Sequence, residues 1–176
     1  MIFPLFRRKP RGADTISTLY GMIVAQARLP TFYRDYAVAD TVNGRFDLIV
    51  LHLAMVLDRL SQDPALQELG QGIFDRFCLD MDHNLREMGV GDLKVPKEMQ
   101  RLAEAFYGRL QAYRNAWAAT DDAPLVQALE RNIYGAVSAP EAGRLATYVR
   151  AALRHLAAEP ASGLAGGRLS FPAPAA

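Results

Sequence analysis

A single cysteine, Cys78, stands in a chain of 176 residues, which excludes an internal disulfide and suits a reducing compartment. Set between Phe77 and Leu79, with no flanking cation to lower its pKa, it reads as a small core residue rather than a nucleophile. Charge of one sign is not in excess either: 20 basic residues face 19 acidic ones. No global field therefore favours nucleic acid or a strongly anionic substrate, and specific nucleic-acid binding is not expected. Long hydrophobic runs are missing too. The longest uncharged apolar run, Leu48 to Leu57, is interrupted by His52 and reaches about half the length needed to cross a bilayer. No signal peptide is visible, because Arg7, Arg8, Lys9 and Arg11 follow the hydrophobic residues and no small-residue cleavage site comes after them. The expectation is a cytoplasmic protein, with a peripheral contact at the inner membrane as its variant.

Sequence chemistry is equally sparse. There is no phosphate loop, nucleophile elbow, zinc spacing or dinucleotide fingerprint. The Glu-x-x-His repeats of a di-metal carboxylate bundle do not occur. No cofactor, metal or catalytic residue is expected, and the chain is not read as an enzyme.

What remains is helical periodicity, in a chain long enough for one domain with a sizeable core. Ile16, Leu19, Tyr20, Ile23, Val24 and Ala27 follow i, i+3, i+4, i+7 spacing from Asp14, a plausible N-cap, and the helix ends before Pro30. Phe32, Tyr33 and Tyr36 form an aromatic cluster on a single short turn, and Val38 to Gly44 reads as a loop. A second helix carries Phe46, Ile49, Val50, Leu53, Leu57 and Leu60. Its other face is apolar as well, so it should be central. His52, in its middle, reads as a satisfied core histidine, since no second His or Cys stands at ligand spacing. Asp63-Pro64 caps and opens a third helix running to Met88, and Val95-Pro96 opens a fourth. Asp121 to Pro124 opens a shorter one that stops at Gly135. Ser138 to Glu141 has the capping-box spacing for the last. The fold class is all-α: a single-domain bundle of about six helices. Its divisions are a basic and hydrophobic arm (residues 1–13), an all-helical domain (14–158) and a disordered tail rich in Ala, Gly and Pro (159–176).

The densest chemistry lies between Phe77 and Asp92, where the third helix ends at Gly89, a residue suited to the left-handed C′ position. A short connection from Ser61 to Pro64 makes helices two and three antiparallel, which brings the start of one beside the end of the other. Arg45, Asp47, Asp80, Asp82, Arg86, Glu87 and Asp92 are therefore expected to form one charge network, structural and partner-facing, with Arg45 near the helix-three dipole. Ordinary i, i+4 pairs, Asp82 with Arg86 and His83 with Glu87, are the bland alternative. Tyr33, Tyr36, Met55, Met88, Met99, Phe106 and Tyr107 are candidates for an adaptable apolar groove, each set against a role in core packing. In the arm, Phe3, Phe6, Arg7, Arg8, Lys9 and Arg11 would suit a membrane surface.

Several spaced motifs occur together and in order. They are Leu19-Tyr20 to Ala27-Arg28; Pro30 with Phe32-Tyr33; Asp40-Thr41 with Gly44-Arg45-Phe46-Asp47; Leu51-His52; and Arg59-Leu60. Downstream follow Asp80-Met81-Asp82 with Leu85-Arg86-Glu87-Met88-Gly89-Val90-Gly91-Asp92, then Val95-Pro96, and Ala105-Phe106-Tyr107-Gly108-Arg109 with Ala112-Tyr113. Over roughly residues 15 to 118 the chain resembles the ubiquinol-cytochrome c chaperone family, which acts in assembly of the cytochrome bc1 complex, while residues 119 to 176 add little. The resemblance implies a non-enzymatic protein that binds newly synthesised cytochrome b. It also implies a small partner chaperone and a contact near the ribosome exit. The family stretch begins almost at the first residue, without a mitochondrial presequence, so the chain looks like a bacterial member. Readings of a different class are a helical enzyme or metal-binding protein using the Asp80–Asp92 corner, and a peripheral membrane adaptor.

Overall fold

The computed structural model describes residues 11–135 and 138–175. Its helices in chain order are α1 (Arg11–Ala27), α2 (Pro30–Arg34), α3 (Val42–Ser61), α4 (Gln67–Glu87), α5 (Val95–Trp117), α6 (Ala123–Leu129), α7 (Ala142–Ala158) and α8 (Ala161–Ala165). Among the described residues no strand occurs and six helices reach seven residues or more, so the all-helical expectation holds.

Local chemistry sets most boundaries. Thr41 caps α3 by accepting from the Gly44 N–H at 3.1 Å. The helix thus starts at Val42, and Gly44 lies inside its first turn rather than ending a loop. A Cβ at Gly44 would lie 2.0 Å from the Ala39 carbonyl oxygen, so the bend before α3 needs glycine there. Asp63 accepts from the Ala65 N–H at 2.9 Å, and Pro64 opens a 3-10 turn that leads into α4. At the far end Gly89 has φ +83°. Its N–H and that of Val90 donate to Arg86 and Leu85, closing the helix through a left-handed residue.

α3 is the axis of the bundle. It packs against α1, α4, α5 and α7, while α1 also lies on α4, and α6 bridges α5 and α7. Leu48, Val50, Leu51, Leu53, Ala54 and Met55 are all fully buried, as the two apolar faces predict. His52 is enclosed with them. Its Nδ1 lies 2.8 Å from the Leu48 carbonyl and its Nε2 lies 2.8 Å from the Tyr148 hydroxyl. A carbonyl only accepts, so Nδ1 carries the proton and Nε2 accepts from Tyr148. Phe32, Tyr148 and Phe171 surround the ring with centroids 5.3 to 5.7 Å away. Burial pushes its pKa down from 6.5 to about 4, because an imidazolium there would lose its hydration without gaining a counter-ion.

Three expectations are corrected. α1 already runs from Arg11, so Asp14 lies in its first turn instead of capping it. The capping box before α7 does not form: α7 starts at Ala142 without a side-chain cap, and the Ala139 N–H donates instead to Glu130. The tail, read as disordered from its composition, is docked. Leu164 and Leu169 are buried and Phe171 packs on the core. Gln26 Nε2 donates to the Pro172 carbonyl and Arg144 to that of Ala175. A few well-spaced apolar residues and two backbone clamps hold the tail, and helical periodicity cannot reveal such an arrangement.

Candidate functional site

The antiparallel arrangement of α3 and α4 brings the start of one beside the end of the other, yet the expected single charge network separates into four units. Arg45 bonds Asp40 at 2.7 Å, an exposed pair on its own helix entrance. Asp47 accepts from Arg109 of α5 at 2.6 Å, and that guanidinium lies over the Phe46 ring. Burial nevertheless pushes the Asp47 carboxyl up, with Arg109 offsetting it only in part. Asp80 accepts from the Tyr20 hydroxyl of α1 at 2.8 Å. Asp82 and Arg86 pair at 2.7 Å, and Arg86 also bonds Asp92. The Arg86 guanidinium holds the Asp82 carboxyl below the usual carboxylate range. Glu87 is exposed at the end of α4. A helix dipole does not gather these charges, because Arg45, Asp47, Asp80, Asp82 and Arg86 each find a partner close by on their own segment or on the helix facing it.

The seven apolar candidates do not line one groove either. Tyr36, Met55 and Phe106 are core residues, at most 1% exposed, and Met99 is half-buried against the core. Tyr33 lies over a hollow beside α2, and Tyr107 borders a cleft between α4 and α5. Only Met88 stands at the α3–α4 end. Of the arm, Phe3, Phe6, Arg7, Arg8 and Lys9 lie outside the described residues, as does the side chain of Arg11.

What the structure places at that end is a groove of about 470 Å³. It arises where two apolar stripes run on past the helices that cover them. On α4 the stripe of Ile73, Phe77 and Met81 is buried, Leu85 is half-buried, and Met88 is 60% exposed. On α3 the stripe fades in the opposite chain direction, from Ile49 through Phe46 to Val42, which is 70% exposed. α5 contributes Leu102. Arg28, Arg45, Asn43, Asn84 and Asp80 edge this apolar floor. Beyond the groove, Leu93 in the connecting loop is 98% exposed. Val42, Met88 and Leu93 thus leave apolar side chains in water around the cleft. Sequence reasoning marked Arg45, Asp80 and Met88 of this groove. It missed Arg28, Val42, Asn43, Asn84 and Leu102 as groove residues; only for Val42 was there a signal, the apolar stripe of α3 continuing to its first residue.

Among the described residues, no group of three or more His, Cys, Asp or Glu is placed to hold a metal ion. Burial and the nearby Asp75 push the Cys78 thiol up, away from reactivity.

Comparison with known proteins gives the groove a context. Residues 34–171 match the ubiquinol-cytochrome C chaperone family. The chain belongs to this family. The crystal structure of the Cbp3 homolog from Brucella abortus matches it with a TM-score of 0.86 at 41% identity, over 98% of this chain and 97% of that one. No curated protein matches. The chain is thus a ubiquinol-cytochrome c reductase assembly chaperone, and its family implies a non-enzymatic assembly factor. The matched region extends the resemblance well beyond residue 118, so α6, α7 and α8 belong to the family domain. Among the described residues no helix is long and apolar enough to cross a membrane.

Proposed function

We propose that this chaperone binds newly made cytochrome b and shelters an apolar segment of it in the groove between the start of α3 and the end of α4. The observation that carries this reading is the pair of apolar stripes that outrun the core, leaving Val42 and Met88 in water on either side of a cleft. A subunit destined for a membrane exposes apolar helices until it is inserted and assembled. A groove with an adaptable methionine at its lip suits a client of that kind.

Photo-crosslinking tests it. A photoreactive residue at position 42 or 88 should capture cytochrome b during its synthesis, whereas one at Arg154, exposed on α7, should not. Loss of the gene should lower the assembled reductase. Normal cytochrome b and normal quinol oxidation in the deletion strain would refute the reading, and equal capture from positions 88 and 154 would refute the site. The same captures would also show whether a small partner chaperone or the ribosome exit region lies within reach.

A further inference from the structure

Next to the apolar groove lies a second hollow, of about 570 Å³, lined by Arg28, Pro30, Tyr33, Arg34, Asp40 and Arg45. Two of these residues, Arg28 and Arg45, line the groove as well, so hollow and groove are one continuous surface that changes from apolar to cationic along its length. Most charges along it are already matched. Arg34 donates from Nε and Nη2 to the two carboxylate oxygens of Asp35 at 2.8 and 2.7 Å. Arg45 donates through Nε to Asp40, and Asp80 accepts from Tyr20. The Tyr33 hydroxyl donates to the Ala27 carbonyl at 2.9 Å. Arg28 is different. It is exposed at the end of α1, and none of its guanidinium donors meets an acceptor among the described residues.

We infer that this junction is built to receive a carboxylate carried beside the apolar face of a helical segment of the protein partner, with Arg28 as the receiving cation and the spare Arg45 donors beside it. The inference rests on the groove being the client site, and it adds the chemistry of the segment that fits. A guanidinium presents a planar fork of donors that matches a carboxylate in two-point contact. Arg34 in the same hollow already holds the Asp35 carboxylate in that two-point way. An apolar segment ending in an acidic residue would fill the groove and meet Arg28 in the same pose, whereas a basic one would meet unmatched cations. The junction therefore sets the direction in which a segment lies, because only one end of the groove is cationic.

Two fluorescent helical peptides with the same leucine-rich face test this, one with glutamate at the end of that face and the other with glutamine. The full chain should bind the glutamate peptide about tenfold more tightly. Arg28→Gln should erase that preference without changing affinity for the glutamine peptide, and Arg28→Lys should restore part of it. Met88→Asp should weaken both peptides together. Equal affinities in the wild-type chain, with both weakened by Met88→Asp, would overturn the carboxylate assignment and leave the groove reading standing. Binding of neither peptide would overturn both. If the preference survives Arg28→Gln while flotation with phosphatidylglycerol vesicles falls, Arg28 serves a lipid headgroup and the inference is wrong.

Discussion

The two halves of α3 are almost equally apolar, yet they end in opposite states. Around His52 the helix is sealed: α2, α7 and the C-terminal tail close over it, and the imidazole has both nitrogens bonded. Around Phe46 and Val42 the same helix is left open, with α4, Leu102 of α5 and Arg28 after α1 lining the groove beside it. Hydrophobicity alone thus does not distinguish core from open surface. What distinguishes them is whether the neighbouring helices continue as far as the stripe does, and here α4 and α3 run past their cover at the same end.

Substitutions should separate the two halves sharply. Phe32 is fully buried among Tyr36, His52 and Tyr148, so Phe32→Ala should cost about 3 to 5 kcal/mol of stability. Client capture by that variant should fall only in step with its folded fraction. Met88→Asp should behave in the opposite way, leaving denaturant midpoints unchanged while abolishing capture at the groove. A Met88→Asp protein that is as unstable as Phe32→Ala would make the open half part of the core, and the comparison would collapse.

Acid should find the sealed half first. His52 titrates near 6.5 when unfolded and near 4 when folded, so between those values the unfolded chain binds the extra proton. The contribution of its neutral burial is complete above about pH 6.5 and declines as pH falls to about 4, by on the order of 3 kcal/mol in total. Chemical denaturation at a series of pH values should show this slope in the wild type. In His52→Phe the slope over that window should flatten, whatever the substitution costs at neutral pH through the lost Tyr148 bond. An unchanged slope would mean that carboxylates, not His52, govern acid sensitivity.

The sealed half was legible in the sequence because its signals are local and redundant: two-faced apolar periodicity on α3, Pro64 and Pro96 at helix entrances, Gly89 and Gly135 at exits. Even the bonded state of His52 followed from the lack of any second ligand at metal spacing. The tail was not legible, since Leu164, Leu169 and Phe171 are separated by glycine and polar residues and acquire meaning only against a surface already folded. Nor was the boundary between core and groove. Periodicity places Phe106 and Met88 on equally apolar stripes, and only the lengths of neighbouring helices decide that Phe106 is buried while Met88 is in water. The charges failed as a network for a related reason. Residues such as Arg109 and Tyr20, distant in sequence, reach Asp47 and Asp80 before the expected partners do.

Arg86 sharpens the comparison at its smallest scale, because it lies at the open end but belongs to neither the apolar floor nor the cationic junction. Its bonds to Asp82 and Asp92 hold the turn after α4, where Gly89 reverses the chain. Both partners are on the surface, Asp92 being 86% exposed, so water and salt screen the attraction and replace the lost bonds when the side chain is removed. Arg86→Ala should therefore leave the melting temperature unchanged within error. Its effect, if the loop it steadies presents Leu93 and Met88 to a client, should be confined to capture at position 88, with capture at position 42 retained. A clear loss of thermal stability would show that the pair is structural after all. Retained capture at both positions would remove Arg86 from the client surface and limit that surface to the groove and its arginine edge.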